Sequence, residues 1–209
     1  MQAEEKMKIS PKYKNEDWKK LNLTKKYSRN WETGANIVQD RINGRYLIQI
    51  DVLENNLKPE IWEFSGFLIM AVDCMVIETL NQFFLGIEDT NNKYRGRSWE
   101  SFRDFFNRSD YFKDYFNDNK AKIFYDHIRN GLLHQSQTKE KTLINIKEDE
   151  MIKKVNQDDI NEGIIVNRKL FHKALLDEFK SYINNLKSKD SKYDDMREKC
   201  IIKMNTICQ

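Results

Sequence analysis

The chain has 209 residues, 33% of them charged and 39% hydrophobic, which suits one compact domain with a sizeable core and an appended terminal segment. Only 7 Gly and 2 Pro occur, too few turn residues for an all-β domain, so the composition favours long helices. A net charge of +3 is too small for nucleic-acid binding by bulk electrostatics, and such binding would need a local patch.

Neither export nor a membrane span is predicted. The first residues contain no apolar stretch of the kind that directs export. The most apolar run, residues 67–80, is shorter than the roughly 20 residues that cross a bilayer, and it carries Asp73 and Glu78. The 3 cysteines are odd in number and lack zinc-site spacing. These patterns predict a cytoplasmic protein without membrane contact and without a metal.

The first half of the chain predicts long helices. Residues 1–30 are Lys-rich and predict an arm or a short helix. Between residues 31 and 53, apolar side chains recur at threes and fours, the period of one helix face. Pro59 suits the first turn of a second, central helix that runs from Ile61 to about Leu85, where Gly86 ends it.

The second half predicts more helices and a small β insert. Residues 91–97 predict a loop, and Ser98 can cap a helix that begins at Trp99. Asn117 can cap a further helix over residues 120–134. Three short β-branched runs predict a small β-hairpin or flap, at 142–146, 151–155 and 164–166. The last two predicted helices cover residues 170–186 and a C-terminal segment that reaches about 204.

Two of the 3 histidines, His127 and His134, fall in the predicted helix over 120–134 together with Arg129. The residues from 129 to 134 read Arg-Asn-Gly-Leu-Leu-His, an arginine followed by polar Asn130, a spacer and a histidine. This string resembles the motif of the HEPN (higher eukaryotes and prokaryotes nucleotide-binding) family of the ribonuclease type. The match covers the three defining positions, and the order of helices resembles the family over about 31–190.

The resemblance implies an all-α HEPN-like bundle of long antiparallel helices with the β insert at about 142–166. It divides the chain into an arm at 1–30, a helical domain at 31–190 and a C-terminal segment at 191–209. It also implies an endoribonuclease that needs no metal or cofactor and acts as a homodimer through the helix of Arg129 and His134. A bacterial toxin or anti-phage defence role, with an antitoxin or defence-system partner, would follow.

Helical geometry bears on this motif independently of the family. Positions five apart on an α-helix lie ~140° apart, so one intact helix cannot direct Arg129 and His134 to one phosphate. Either the helix unwinds near Gly131, or a second chain supplies the missing group across a two-fold axis. The resemblance favours the second arrangement. Gly131 would let two backbones approach closely, or it would merely weaken the helix near its end.

Cleavage of RNA without a metal needs a base for the 2′-hydroxyl, positive charge on the phosphate and an acid for the leaving oxygen. His134 is the candidate for proton transfer, because imidazole titrates near neutrality. Arg129 is the candidate for binding the phosphate. Asn130 is the candidate for orienting the phosphate or His134. The product would be a 2′,3′-cyclic phosphate.

Several further residues are candidates around this centre. His127 stands one heptad before His134 and is either a second acid or base or a half-buried structural histidine. Asp73 and Glu78 interrupt an apolar helix and need partners, and Arg129 is one candidate partner for an orienting salt bridge. His172 is predicted to be structural. The predicted RNA contacts are basic residues, three of them near Tyr94, which could stack on a base: Arg95, Arg97, Arg103 and Lys139.

Two alternatives stay open at this stage. The chain could be a catalytically inactive HEPN-like module that binds a nucleotide, RNA or a partner protein through Arg129 and His134. It could also be a helical interaction protein in which the match to the motif is a coincidence. The second alternative predicts that Arg129 and His134 lie apart, away from any cleft.

Overall fold

A computed structural model describes residues 7–56, 58–156 and 158–209. These residues are mostly helical and include a small three-stranded sheet, as the composition and the β-branched runs predicted. They form two compact units. Unit 1 contains the described residues up to Asp51 together with Gln82–Asp89 and Lys180–Gln209, and unit 2 contains Val52–Asn81 and Thr90–Phe179. The predicted division into an arm, one domain and a tail stays a prediction, and the described parts of both terminal segments are assigned to unit 1.

The predicted helix over 31–53 is confirmed as one helical run with a wide turn in it. The run consists of α2 (Asn30–Ile42), a π-helical turn (Asn43–Leu47) and α3 (Ile48–Glu54). Ile42 and Ile50 from the predicted apolar stripe are buried. Their burial follows from the helical period of the stripe.

The Lys-rich N-terminal segment packs tightly within unit 1. It contains the short helix α1 (Asn15–Lys19), one of the two predicted alternatives. Ile9 and Trp18 are buried, and the Trp18 ring meets Trp31 edge to face with 6.5 Å between ring centroids. Ser10 Oγ donates a 2.7 Å hydrogen bond to Asp40. Apolar anchors therefore fix a segment that its lysines alone would have left solvated.

The C-terminal helix completes unit 1. It is α11 (Asp194–Ile207), preceded by a short 3₁₀ turn (Ser191–Tyr193). Arg197 is fully buried in it, and its guanidinium donates to the backbone carbonyls of Lys25 at 2.7 Å and Ser188 at 2.8 Å. Carbonyl acceptors allow this buried cation to keep its hydrogen bonds.

The predicted central helix is divided in two. Pro59 opens α4 (Pro59–Phe64), as expected, and α5 (Gly66–Leu85) follows after Ser65. Gly86 ends α5 with a φ of +65°, a conformation that glycine adopts without strain.

The length argument against a membrane span is also wrong, because α5 has 20 residues and could cross a membrane by length and composition. Half of its most apolar window is buried within the described part of the chain. Asp73 and Glu78, in the middle of α5, form ion pairs with His172 and Arg129. The cytoplasmic location and the lack of membrane contact remain predictions.

Unit 2 then continues through two helices and a loop. The predicted loop contains a short helix, α6 (Asn91–Tyr94), before α7 (Trp99–Arg108). Ser98 precedes α7 but makes no capping hydrogen bond, because its φ and ψ of −60° and −22° are helical and not extended. Asn117 has the extended conformation, and its side chain accepts a 2.9 Å hydrogen bond from Lys120 N–H. The second predicted cap is therefore confirmed and the first is wrong.

An aromatic core holds the helices of unit 2 together. Phe106 stacks on Phe116 with ring centroids 3.8 Å apart, and Phe124 stacks on Phe171 at 5.0 Å. Seven phenylalanines are buried in this cluster: Phe102, Phe105, Phe106, Phe112, Phe116, Phe124 and Phe171. Phe124 belongs to the motif helix and Phe171 to α10 (Arg168–Lys187), so these contacts set the position of the motif helix.

The β insert is a three-stranded sheet and not a hairpin. Its strands are β1 (Leu143–Asn145), β2 (Ile152–Lys154) and β3 (Ile164–Asn167), in the spatial order β1-β3-β2. β1 pairs with β3 in parallel, and β2 pairs with β3 antiparallel. The most buried strand, β3, takes the centre, so the two strands that follow each other in sequence become opposite edges.

Candidate active site

The helix that carries the motif is continuous but not uniform. It runs through α8 (Asp118–Ile123), a π-helical turn (Phe124–Arg129) and α9 (Asn130–Gln135). Asn130 N–H bonds to the carbonyl of Tyr125, five residues back. The carbonyl of His127 instead accepts a 3.0 Å hydrogen bond from Lys139 N–H in the following loop. A wide turn of this kind is common at functional sites.

Gly131 lets two backbone segments approach closely, as one of the two sequence interpretations predicted. It lies buried in α9, where the helix is intact, so the predicted unwinding near Gly131 is wrong. A Cβ atom at this position would stand 2.4 Å from the carbonyl oxygen of Gln137. The backbone that approaches Gly131 is therefore that of the same chain, where the loop after α9 folds back. Ser136 makes this reversal possible with a left-handed φ of +54°.

Arg129 is held in place from three sides. Its Nε donates a 2.8 Å hydrogen bond to Glu78 Oε1, which confirms the predicted salt bridge to α5. Its Nη1 donates to Asn130 Oδ1 at 3.1 Å, and its Cζ lies 5.4 Å from the centre of the Tyr125 ring. The side chain keeps 21% of its surface exposed. The guanidinium is thus fixed in orientation while one part of it still faces solvent.

Asn130 and His134 do not meet in the structure. Asn130 uses its amide oxygen to hold Arg129, so it orients the arginine and not the histidine. His134 lies in the last turn of α9 with its side chain exposed, and it has no hydrogen-bond partner within the described residues. Both Arg129 and His134 lie at or beyond the end of the π turn, where the α-helical offset of ~140° applies. Helical geometry therefore directs the two side chains to different sides of the helix.

His127 connects the motif helix to the sheet. Its Nδ1 lies 2.9 Å from Thr142 Oγ1, and the same hydroxyl accepts a 3.2 Å hydrogen bond from Ile164 N–H. Burial lowers the pKa of His127, and the nearby Lys139 acts in the same direction, while Glu140 and Asp126 oppose them. Because the π turn includes His127, this residue and His134 no longer stand a whole number of α-helical turns apart. His127 is thus half-buried and hydrogen-bonded to Thr142, and both of its predicted roles stay predictions.

Asp73 has a partner other than the one considered from the sequence. Its Oδ1 lies 2.8 Å from His172 Nδ1, and the carboxylate is fully buried. Its Oδ2 is buried and has no hydrogen-bond partner within the described residues. Burial raises the pKa of Asp73, against the hydrogen bond and charge of His172. Asp73 therefore belongs to a structural pair between α5 and α10, and only Glu78 belongs to the surroundings of Arg129.

The predicted RNA contacts are unequal. Arg103 donates to Asp104 at 2.9 Å and stacks over Trp99, and Arg97 donates to Glu100 at 3.1 Å, so these two charges are largely offset. Arg95 is exposed, with no ion pair in the described part of the chain.

Lys139 and Tyr94 are also among the predicted RNA contacts. Lys139 is half-buried beside His127, whose carbonyl its backbone N–H binds. Tyr94 is buried, its hydroxyl donates to Asp104 at 2.7 Å, and burial raises its pKa to about 12. Tyr94 therefore cannot stack on a base, and the predicted aromatic partner of this basic cluster is wrong.

Three further results concern metal ligands, cysteines and similarity to known proteins. Within the described residues, no group of three or more His, Cys, Asp or Glu side chains could hold a metal ion. The three cysteines, Cys74, Cys200 and Cys208, are buried free thiols. Comparison with protein-family models, with curated proteins and with solved structures found no match to this chain.

Proposed function

We propose that this chain is a HEPN-like, metal-independent endoribonuclease whose active centre is built from Arg129 and His134. The observation that carries the proposal is the fixed guanidinium of Arg129, which Glu78, Asn130 and the Tyr125 ring hold in orientation while it keeps access to solvent. A preorganised guanidinium suits the developing charge of a phosphorane-like transition state. His134, whose side chain is exposed and has no hydrogen-bond partner within the described residues, lies in α9, which follows Arg129 directly.

The chemistry follows from these two groups. His134 takes the proton of the 2′-hydroxyl as the 2′-oxygen attacks phosphorus, while Arg129 stabilises the charge on the phosphoryl oxygens. The bond from phosphorus to the 5′-oxygen breaks, and the imidazolium returns its proton to that oxygen. The products are a 2′,3′-cyclic phosphate and a 5′-hydroxyl. Asn130 and Glu78 position the guanidinium and do not touch the substrate.

A homodimer brings together the two groups, Arg129 and His134, that one helix directs to different sides. In this arrangement each cleft joins Arg129 of one chain to His134 of the other across a two-fold axis. Exposed apolar side chains beside the motif support a partner surface. Leu133, next to His134, is 42% exposed, and Met75, one turn from Glu78 on α5, is 40% exposed. Exposed apolar side chains often mark surfaces that a partner protein covers.

The catalytic assignment is tested by RNA cleavage in EDTA with wild type, Arg129→Ala and His134→Ala. We expect each variant to lose at least about a hundredfold in rate, since each group acts in the transition state. The matched control is Gln135→Ala, the exposed neighbour of His134 on the same helix. Equal cleavage by all of these proteins would leave the chain as a binding module without catalytic activity.

The two-chain site is tested by mixing subunits. Arg129→Ala and His134→Ala chains are inactive as homodimers, but a mixed dimer contains one intact cleft. After random exchange, half of the dimers are mixed, so the mixture should recover about a quarter of the wild-type rate. No recovery, with exchange confirmed by mass spectrometry, would place both groups in one chain.

The resemblance extends the proposal to a biological role. An RNase that needs no cofactor would damage its own cell unless it were restrained, which fits a bacterial toxin or anti-phage effector with an antitoxin or defence partner. Expression in bacteria tests this role. Wild type should stop growth, and His134→Ala should not, at equal protein levels. Growth arrest by both proteins would separate the toxicity from RNA cleavage.

A further inference from the structure

Unit 2 contains a second concave site that the proposed cleavage does not use. A cavity of about 340 Å³ lies between the end of α4 with the start of α5 on one wall and strand β1 with the residues after it on the other. We call it the β1 slot. Phe64 and Phe67 line the helical wall, and residues 144–147 line the strand wall. Its volume is at the lower end of the range of about 300–1,000 Å³ for ligand sites.

The strand wall presents backbone and not only side chains. β1 contributes Ile144 and Asn145 to this wall, and the bend after it contributes residues 146 and 147. Neighbouring residues of a strand face opposite sides, so a slot lined by both Ile144 and Asn145 reaches the edge of β1. That edge is open. β1 pairs with β3 on one side and with no other strand among the described residues. Open edges carry backbone donors and acceptors that an added strand can bind.

The side chains of the slot combine apolar surface with positive charge. Phe64 is 75% exposed within the described part of the chain, a large exposed fraction for a phenylalanine. Lys147 is exposed and has no ion pair within the described residues. Arg168 is deeply buried and bonds to Glu54, which does not line the slot. The charged lining residues are therefore two cations, Lys147 and Arg168, and one carboxylate, Glu63, so the slot favours an acidic group beside Lys147.

We propose that the β1 slot binds an extended peptide segment of a partner protein, which adds a strand to the open edge of β1. The segment places an apolar or aromatic side chain between Phe64 and Phe67 and an acidic side chain beside Lys147. The alternation of apolar and acidic residues follows from the period of a strand. This inference goes beyond the proposed cleavage and does not depend on it, because no residue of the motif lines the slot.

The test selects a phage-displayed library of linear peptides, in which apolar and acidic residues alternate, on the full chain. The best peptide is then synthesised and titrated by fluorescence anisotropy. We expect Phe67→Ala to weaken its binding at least about tenfold, since a buried aromatic contact is lost. Leu68→Ala is the matched control, because Leu68 is 55% exposed on the same helix but does not line the slot. Lys147→Glu should also weaken binding, and Lys122→Glu, an exposed lysine on α8, should not.

A second measurement identifies the strand addition. Bound peptide should slow hydrogen exchange of the backbone amides at residues 144–147, and a peptide with N-methylated backbone amides should bind at least about tenfold more weakly. Failure of the library to enrich any peptide overturns the proposal. So do equal losses with Phe67→Ala and Leu68→Ala, or equal binding of the N-methylated peptide. Protection of 144–147 that rises with protein concentration and without peptide would assign the slot to a second copy of this chain.

Discussion

Glu78 Oε1 accepts a 2.8 Å hydrogen bond from Arg129 Nε, and both side chains are about one fifth exposed, at 22% and 21%. The pair therefore lies where solvent can still reach the guanidinium. Because Nε faces Glu78 and Nη1 faces Asn130, the remaining N–H groups are those that the proposed reaction would use on a phosphate. The Glu78 carboxylate therefore fixes the orientation of the Arg129 guanidinium.

The first prediction concerns this orientation. Glu78→Gln keeps an acceptor but removes the charge that fixes Arg129, so we expect cleavage to fall about tenfold with the free energy of unfolding changed by less than about 1 kcal/mol. Glu63→Gln is the matched control, an exposed carboxylate close to the start of α5. Single-turnover cleavage and urea unfolding measure the two effects. An unchanged rate in Glu78→Gln would mean that the salt bridge serves stability alone.

The second prediction concerns pH and His127. Burial lowers the pKa of His127 from its ordinary 6.5, so protonation is less favourable in the folded chain than in the unfolded one. The contribution of His127 to stability is complete above pH 6.5 and is lost as the pH falls from there through the folded pKa. Urea unfolding between pH 5 and 8 should show this loss in wild type and a smaller one in His127→Gln. Identical pH profiles would refute the linkage.

The third prediction concerns the buried pair of Asp73 and His172. His172→Ala leaves a buried carboxylate without its partner and should cost about 3–5 kcal/mol at pH 7. Because burial raises the pKa of Asp73, the folded variant can take up a proton in mild acid, so the cost should shrink as the pH is lowered. Asp73→Asn should cost clearly less than His172→Ala at pH 7. His134→Ala, an exposed histidine, is the control and should cost under about 0.5 kcal/mol.

The fourth prediction concerns Gly131. A methyl group there meets the Gln137 carbonyl oxygen at 2.4 Å, and backbone cannot move away as a flexible side chain can. Gly131→Ala should therefore lower the free energy of unfolding by about 1–3 kcal/mol. Gln135→Ala, exposed on the same helix, should have little effect. The loss should not depend on protein concentration, whereas a loss confined to dimer formation would restore Gly131 to an interface between chains.

The fifth prediction separates the arginines of the basic cluster. Arg95 has no ion pair within the described residues, so Arg95→Ala should reduce RNA affinity and lower the salt dependence by about one counterion. Arg103 is held by Asp104 and Glu100, so Arg103→Ala should change RNA affinity less. Filter binding at several salt concentrations measures both. Equal effects of the two substitutions would show that RNA displaces the carboxylates from Arg103.

Local spacing of apolar and β-branched residues predicted the long helices and the three strands, but not the short helix α6 or the break between α4 and α5. A carboxylate in an apolar helix requires a partner, and Arg129 was one candidate partner for Glu78. Spacing could not predict the π turn at Phe124–Arg129 or the hydrogen bond from the Lys139 amide to the carbonyl of His127. Spacing also could not predict pairs between distant segments, such as Asp73 with His172.

The sequence also gave no direct signal for Tyr125 as a support of Arg129 or for Thr142 as the partner of His127. In the sequence, Tyr125 is one aromatic position of the predicted helix over 120–134, and Thr142 begins a β-branched run. Both contacts depend on the three-dimensional arrangement of the motif helix and the residues that follow it.

The π turn at Phe124–Arg129 affects how the two ends of the motif helix are oriented relative to each other. A π turn holds one residue more than the α-helical turn it replaces, so it takes up an extra residue that would rotate α9 against α8 by ~100° in a regular α-helix. Phe124 and its aromatic neighbours anchor the helix on one side of this turn, and Arg129 and His134 follow on the other. The direction in which Arg129 and His134 face therefore depends on the number of residues that follow Phe124 and on the width of the turn that holds them.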